Sequence, residues 1–219
     1  MPAALKHVQF HNPNVMSSQE ALALVPHSGY EESQLVVVCG QKGFGKTWWL
    51  RHYAYAEPRL LVIDIHDEFP QVTLRLNYKD ALEDLAEDTF PCWRRVIPPH
   101  DVSTFEWGER FLSELLKSGA SDLLLVIPEI SAYTRTKGGI EGAALEKIIL
   151  RGRHYRIRLA VDVQRLNRAP GELHSELTQA VIYHTRRPRD LDVLESWGVE
   201  DAHEVLPALP KYRCYLLRG

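Results

Sequence analysis

Residues 35–51 read LVVVCGQKGFGKTWWLR, and the order of chemistry along them decides the fold. Leu35–Cys39 is an unbroken apolar run bounded by glycine, the pattern of a buried strand. KTWWLRHYAYA (46–56) reads as a helix, and between the two stands GQKGFGKT (40–47). Gly40, four residues, Gly45, Lys46 and Thr47 form the P-loop pattern in its required strand–loop–helix setting. The glycines let backbone N–H groups turn inward around a phosphate chain, and the helix N-terminus adds unpaired donors and partial positive charge. The expected nucleotide-binding residues are Gly40, Gln41, Lys42, Gly43, Phe44, Gly45, Lys46, Thr47 and Trp48. Lys46 would reach the β/γ-phosphates and the Thr47 hydroxyl would ligate Mg²⁺, so ATP and Mg²⁺ are the expected cofactors. Lys42 reads as a solvated loop lysine. Trp48 and Trp49 read as core or interface material.

The remaining chain is ordinary for a soluble globular protein. It has 219 residues, 45% of them hydrophobic and 25% charged, and a net charge of −3. That length suits one large domain or a domain with an appendage. The charge gives no global sign of nucleic-acid binding, so any such function must rest on local basic patches. Cys39, Cys92 and Cys214 are widely spaced and form no metal-ligand pattern, which points to a reducing cytoplasm. The apolar runs are too short for a membrane span, and the N-terminus lacks a signal-peptide core.

Residues 1–34 are mixed and aperiodic and read as an arm, with a short helix at Ser18–Leu24 capped by Ser18. From residue 35 to 219 apolar strands alternate with helical stretches. Strands are expected at 35–39, 59–65, 122–127, 158–163, 180–185 and 212–217, with an apolar piece near Val96. Helices are expected at 46–56, 79–87, 104–117, 141–151 and 189–198. This alternation predicts an α/β domain, a largely parallel central sheet flanked by helices.

Two strands end in acid, LLVIDIHDEF (60–69) and LLLVIPEI (123–130). P-loop ATPases with a catalytic glutamate carry an additional strand, and on that ordering the later acidic strand is expected beside the P-loop strand. Glu129 would then polarise the attacking water as general base. An Asp-Glu pair is expected at such a strand tip, and Pro128 takes the place of the aspartate. Asp64 is a candidate to help hold Mg²⁺ in its stead. Proline lacks an N–H, which a strand tip tolerates better than a strand centre.

The ordered motifs resemble the FtsK–HerA superfamily of DNA-translocating ATPases. The family's second strand ends in Asp-x-His-Gly-Glu-Tyr or close variants, matched here by Asp64, His66, Glu68 and Phe69, with Asp67 in place of glycine. A later family strand ends in Gln-Arg, matched by Gln164 and Arg165, and the Gly-Arg preceding it by Gly152 and Arg153. The resemblance covers about residues 35–219. Compact size and the GRHYRI stretch look most like the genome-packaging ATPases of tailless, membrane-containing icosahedral viruses.

The resemblance implies a RecA-like P-loop NTPase of the additional-strand, catalytic-glutamate type, and a ring, pentameric or hexameric, that drives double-stranded DNA. It implies Gln164 at the γ-phosphate or attacking water, and Arg153, then Arg151, as an arginine finger across a subunit boundary. Arg151, Arg153, Arg156, Arg158, Arg165 and Arg168 lie within 18 residues, with Asp162 the only acid among them, so a solvated basic face is the alternative. The polar loop SAYTRTKGG (131–139) offers Tyr133, Arg135 and Lys137 as DNA contacts. A capsid-vertex or viral membrane protein is an expected docking partner, and the host cytoplasm or the virion the expected location. A cellular HerA/FtsK-like DNA pump is one alternative. A nucleotide-binding switch or scaffold with weak hydrolysis, favoured by Pro128, is another. Small-molecule kinases would leave Gln164 and the Asp64–Phe69 motif unexplained.

Overall fold

The computed structural model describes residues 12–25, 27, 34–87, 91–133, 143–166, 169 and 172–218. The strands are β1 (Val15–Ser17), β2 (Leu35–Cys39), β3 (Arg59–Ile63), β4 (Thr73–Arg75), β5 (Cys92–Val96), β6 (Leu123–Ile127), β7 (Ile157–Val163), β8 (Gln179–Ile182) and β9 (Arg213–Arg218). The helices are α1 (Ser18–Leu24), α2 (Lys46–Tyr55), α3 (Tyr78–Ala86), α4 (Thr104–Leu115), α5 (Ala143–Arg151), α6 (Glu172–Ser175), α7 (Pro188–Ser196) and α8 (Ala202–Val205). The nine strands form one sheet in the order β1-β9-β8-β2-β7-β6-β3-β5-β4. Pairs from β8 to β4 are parallel, and β9 runs antiparallel to both β8 and β1.

The central strands β2, β3 and β6 are buried along their whole length, as runs of Val, Leu and Ile covered on both faces must be. Each such side chain contributes about 1.5–3 kcal/mol through removal from water. On one face Val36, Val38, Val62 and Val126 pack under Trp49, Leu50 and Tyr53 of α2. On the other, Val37, Leu61, Leu125 and Val161 meet Phe111 and Leu112 of α4, Ile148 of α5 and Leu194 of α7. The alternation of strand residues between the two layers follows from the period-two geometry of a strand.

Three expectations are corrected here. β6 does not lie beside the P-loop strand. β7 stands between them, with Val38 of β2 opposite Asp162 and Val126 of β6 opposite Ala160. The cap of α1 is Ser17 rather than Ser18: its hydroxyl accepts the Glu20 N–H at 3.1 Å and Glu20 returns the bond to the Ser17 N–H at 2.7 Å, a capping box. Ser18 instead turns inward, its Oγ 2.9 Å from the Tyr183 hydroxyl. Finally, Arg158 is no part of a solvated face. It is 2% exposed and bonds Glu57 and, at 3.3 Å, Gln34. Its position inside β7 buries it, and a buried guanidinium needs a paired carboxylate. The described part of the arm, 12–25, adds β1 to the sheet edge and α1 beside α2.

Candidate functional site

The parallel strands end together, and past the C-terminal ends of β2, β7 and β6 lies a cavity of about 570 Å³. Its wall is built from Lys42, Gly43, Gly45, Lys46, Thr47 and Trp48 of the P-loop and α2, and from His66 and Glu68 after β3. Pro128 and Glu129 after β6, Asp162 and Gln164 at the end of β7, and Tyr212 before β9 complete it. Ligand sites at the carboxyl ends of strands are the rule for open α/β sheets.

The rest of the loop braces the cradle from outside. Gly40 has φ +122°, and a Cβ there would sit 2.7 Å from the Tyr183 carbonyl oxygen, so the residue has both a conformational and a steric reason to be glycine. The Gln41 N–H donates to the His184 carbonyl at 2.8 Å. The Phe44 ring stacks on His184 with centroids 4.3 Å apart, and the Phe44 carbonyl accepts the Tyr212 N–H at 3.1 Å. Thus Gly40, Gln41 and Phe44 anchor the loop to the end of β8 and to Tyr212. Lys46 and Thr47 face inward.

Lys46 is 5% exposed; its Nζ donates to the Gln41 carbonyl at 3.5 Å and lies 3.8 Å from Asp162 Oδ1. The Thr47 hydroxyl donates to Glu68 Oε2 at 3.4 Å, leaving its lone pairs for a cation. Glu129 has φ +61°, an uncommon conformation for a non-glycine residue, and accepts the Ser131 hydroxyl. Its own carbonyl closes the turn by accepting the Ala132 N–H at 3.0 Å. Pro128 is buried and follows the last ladder residue, so its missing N–H costs the sheet nothing.

Several expected residues sit elsewhere. Asp64 is fully buried away from the cavity wall: its oxygens accept the Glu68 N–H at 2.8 Å, the Phe69 N–H at 2.9 Å and the Arg95 guanidinium at 3.1 Å. It shapes the turn that presents His66 and Glu68, and is not among the residues that line the cavity. Tyr133, expected at DNA, is 2% exposed, its ring pressed so closely on α4 that a Cβ at Gly108 would lie 2.4 Å from it. A buried ring cannot stack on a base or sugar. Arg135, Lys137 and Arg168 lie outside the described residues. Arg151 and Arg153 are exposed and stand before the N-terminal end of β7, the sheet edge opposite the cavity. Seven strand residues, roughly 23 Å, separate them from the site of their own chain.

Asp162 is the residue that sequence reasoning missed. Burial pushes its carboxyl up, Lys46 opposes that, and the charges of Glu129 and Glu68 add to it, so it titrates at about 7. A proton held by the folded chain to pH 7, but by the unfolded chain only to about 4, stabilises the fold at low pH. That stabilisation is lost as pH rises between the two values, by at most about 1.4 kcal/mol per pH unit. Without nucleotide or metal, thermal melts are expected to show the melting temperature falling from pH 5 to 8. Asp162→Asn should flatten the decline and raise the melting temperature at pH 8. An unchanged decline would remove Asp162 as its source.

Sheet and loop together define the P-loop NTPase fold, with the strand order β8-β2-β7-β6-β3 around the loop. Solved structures bear this out. The genome packaging NTPase B204 from Sulfolobus turreted icosahedral virus 2, in complex with ATP-gammaS, superposes with a TM-score of 0.66 at 16% identity, over 85% of this chain and 92% of that one. B204, the DNA-packaging ATPase from Sulfolobus Turreted Icosahedral Virus, gives 0.63 at 17% over 84% and 92%. VirB4 of Thermoanaerobacter pseudethanolicus gives 0.59 at 12% over 89% and 91%. At these identities the likeness is one of fold. No protein-family model matches the sequence, and no curated protein does.

Proposed function

We propose that the chain is an ATP-driven double-stranded DNA translocase, acting as a homo-oligomeric ring that packages a viral genome. The observation that carries this reading is the convergence of Lys46, Thr47, Glu129 and Gln164 from three strand ends on one cavity. In it, Lys46 and the loop N–H groups hold the phosphates, Glu129 takes the proton of the attacking water, and the Gln164 amide contacts the γ-phosphate or that water. The donors suit a hard cation: Thr47 offers lone pairs, and carboxylates stand nearby. Among the described residues no group of three or more His, Cys, Asp or Glu could hold a metal alone. When magnesium binds, Thr47 would hold it together with the nucleotide, and the ion would supply charge neutralisation to the phosphates.

B204 is a DNA-packaging ATPase, and that supports DNA as partner here. Arg153, too far from its own cavity, acts on the nucleotide of a neighbouring copy, and Arg135 and Lys137 contact DNA phosphates. A capsid-vertex or viral membrane protein docks the ring, in the host cytoplasm or at the virion. Among the described residues no helix is long and apolar enough to cross a membrane. The same site would serve a cellular DNA pump. Pro128 favours one further reading, a nucleotide-binding switch with weak hydrolysis.

An ATPase assay with and without double-stranded DNA separates these. Turnover that rises on adding DNA is expected. ATP binding with no turnover under either condition would replace the motor by the switch, and turnover indifferent to DNA would remove the translocase.

A further inference from the structure

β6 ends at Ile127, and Pro128 and Glu129 follow it, so its tip offers one carboxylate where a pair is expected. The neighbouring strand offers another. Asp162 lies opposite Val38, one residue before the end of β7. It shares a strand face with Ala160, within the apolar layer of Val36, Val38 and Val126. A carboxylate set at the end of an apolar stripe costs free energy unless something answers its charge.

The Val163 backbone N–H and Lys46 do so in part. Asp162 is 6% exposed, it lines the cavity, and its Oδ1 has no hydrogen-bond partner. Lys46 Nζ, at 3.8 Å, neutralises it across more than a hydrogen-bond length. The other acids are engaged: Glu129 accepts the Ser131 hydroxyl, Glu68 accepts Thr47, and Asp64 holds its own turn. Its buried Oδ1, without a hydrogen bond and lining the same cavity as Lys46 and Thr47, is placed for a hydrated cation.

We propose that Asp162 supplies the carboxylate that Pro128 withholds, accepting hydrogen bonds from the water shell of the magnesium ion that Thr47 and the phosphates hold. Lys46, paired with Asp162 in the free protein, would then be free to hold the phosphates. This assignment rests on the nucleotide reading of the cavity. It moves the second magnesium-side carboxylate from the tip of β6 to the strand between β6 and the P-loop strand.

The test is calorimetric titration of the full chain with a non-hydrolysable ATP analogue, in EDTA and over a series of MgCl₂ concentrations. In EDTA, Asp162→Asn is expected to bind the analogue at least as tightly as wild type, because Lys46 loses a competing anion. The magnesium concentration that gives half the metal-dependent gain should rise about 10–100-fold, the usual loss when a group supporting a metal's ligands is removed. Asp162→Ala, which leaves no amide to satisfy, should do the same. Pro128→Asp in the Asp162→Asn background should recover most of the loss. A magnesium requirement unchanged in both Asp162 variants overturns the proposal, as does a shift produced by Glu68→Gln and not by Asp162→Asn. A wild-type chain that binds no analogue in either medium overturns the nucleotide reading, and this inference with it.

Discussion

Glu129→Gln is expected to lower ATP turnover by about 10²–10⁴-fold while nucleotide affinity stays close to that of wild type. The substitution keeps size and the hydrogen bond from the Ser131 hydroxyl, because the amide oxygen accepts it as the carboxylate does. What it removes is the capacity to take a proton. Glu129 stands directly after the strand tip in a left-handed conformation that over-determined surroundings must hold, a condition found where a side chain has to be aimed. The measurement is steady-state phosphate release beside analogue binding. Turnover that survives the change would pass the role of base to Glu68 or Asp162, the other acids of the cavity.

The second large effect is on the scaffold. Gly40→Ala is expected to cost on the order of 3 kcal/mol or more and to abolish nucleotide binding, read by urea denaturation and titration. The new methyl would meet backbone, the Tyr183 carbonyl at 2.7 Å, at φ +122°. Neither β2 nor β8 can yield, since they are paired in register from Val36 to Cys39. Gly43 makes the contrast: its φ is +87°, but nothing lies within 4 Å of a Cβ there. Gly43→Ala should therefore cost only the backbone strain, about 1–2 kcal/mol. Equal costs at the two positions would show that packing against β8 contributes nothing.

The sequence made the phosphate loop legible because its chemistry is contiguous: strand, glycines, lysine, threonine and helix follow within some twenty residues. The central strands were legible because burial on both faces writes itself as an uninterrupted apolar run. Asp162 was not, because its place depends on strand order. Within AVDVQR it reads as one acid among arginines, and only the insertion of β7 between β2 and β6 sets it beside Lys46. Tyr133 misled for the opposite reason. Polar neighbours made its segment read as an exposed loop, whereas a 3₁₀ turn, Ile130–Tyr133, folds the ring under α4. Asp64 belongs to a recognised motif, yet the turn it caps consumes both of its oxygens. The strands β1 and β4, three residues each, are too short to show a period.

The parallel run of β7 has a geometric consequence for copies of this chain. Its start carries Arg151 and Arg153, and its end carries Asp162 and Gln164 at the cavity. A contact that delivers those arginines to another copy's nucleotide must join opposite ends of the sheet, one from each copy. A two-fold dimer meets that condition only reciprocally, each copy's arginines reaching the other's cavity, and it then closes with no face left over. Head-to-tail addition instead leaves one free arginine end and one free cavity on the whole assembly, and it ends only when the rotation per step divides a full circle; otherwise the chain of copies grows as a filament.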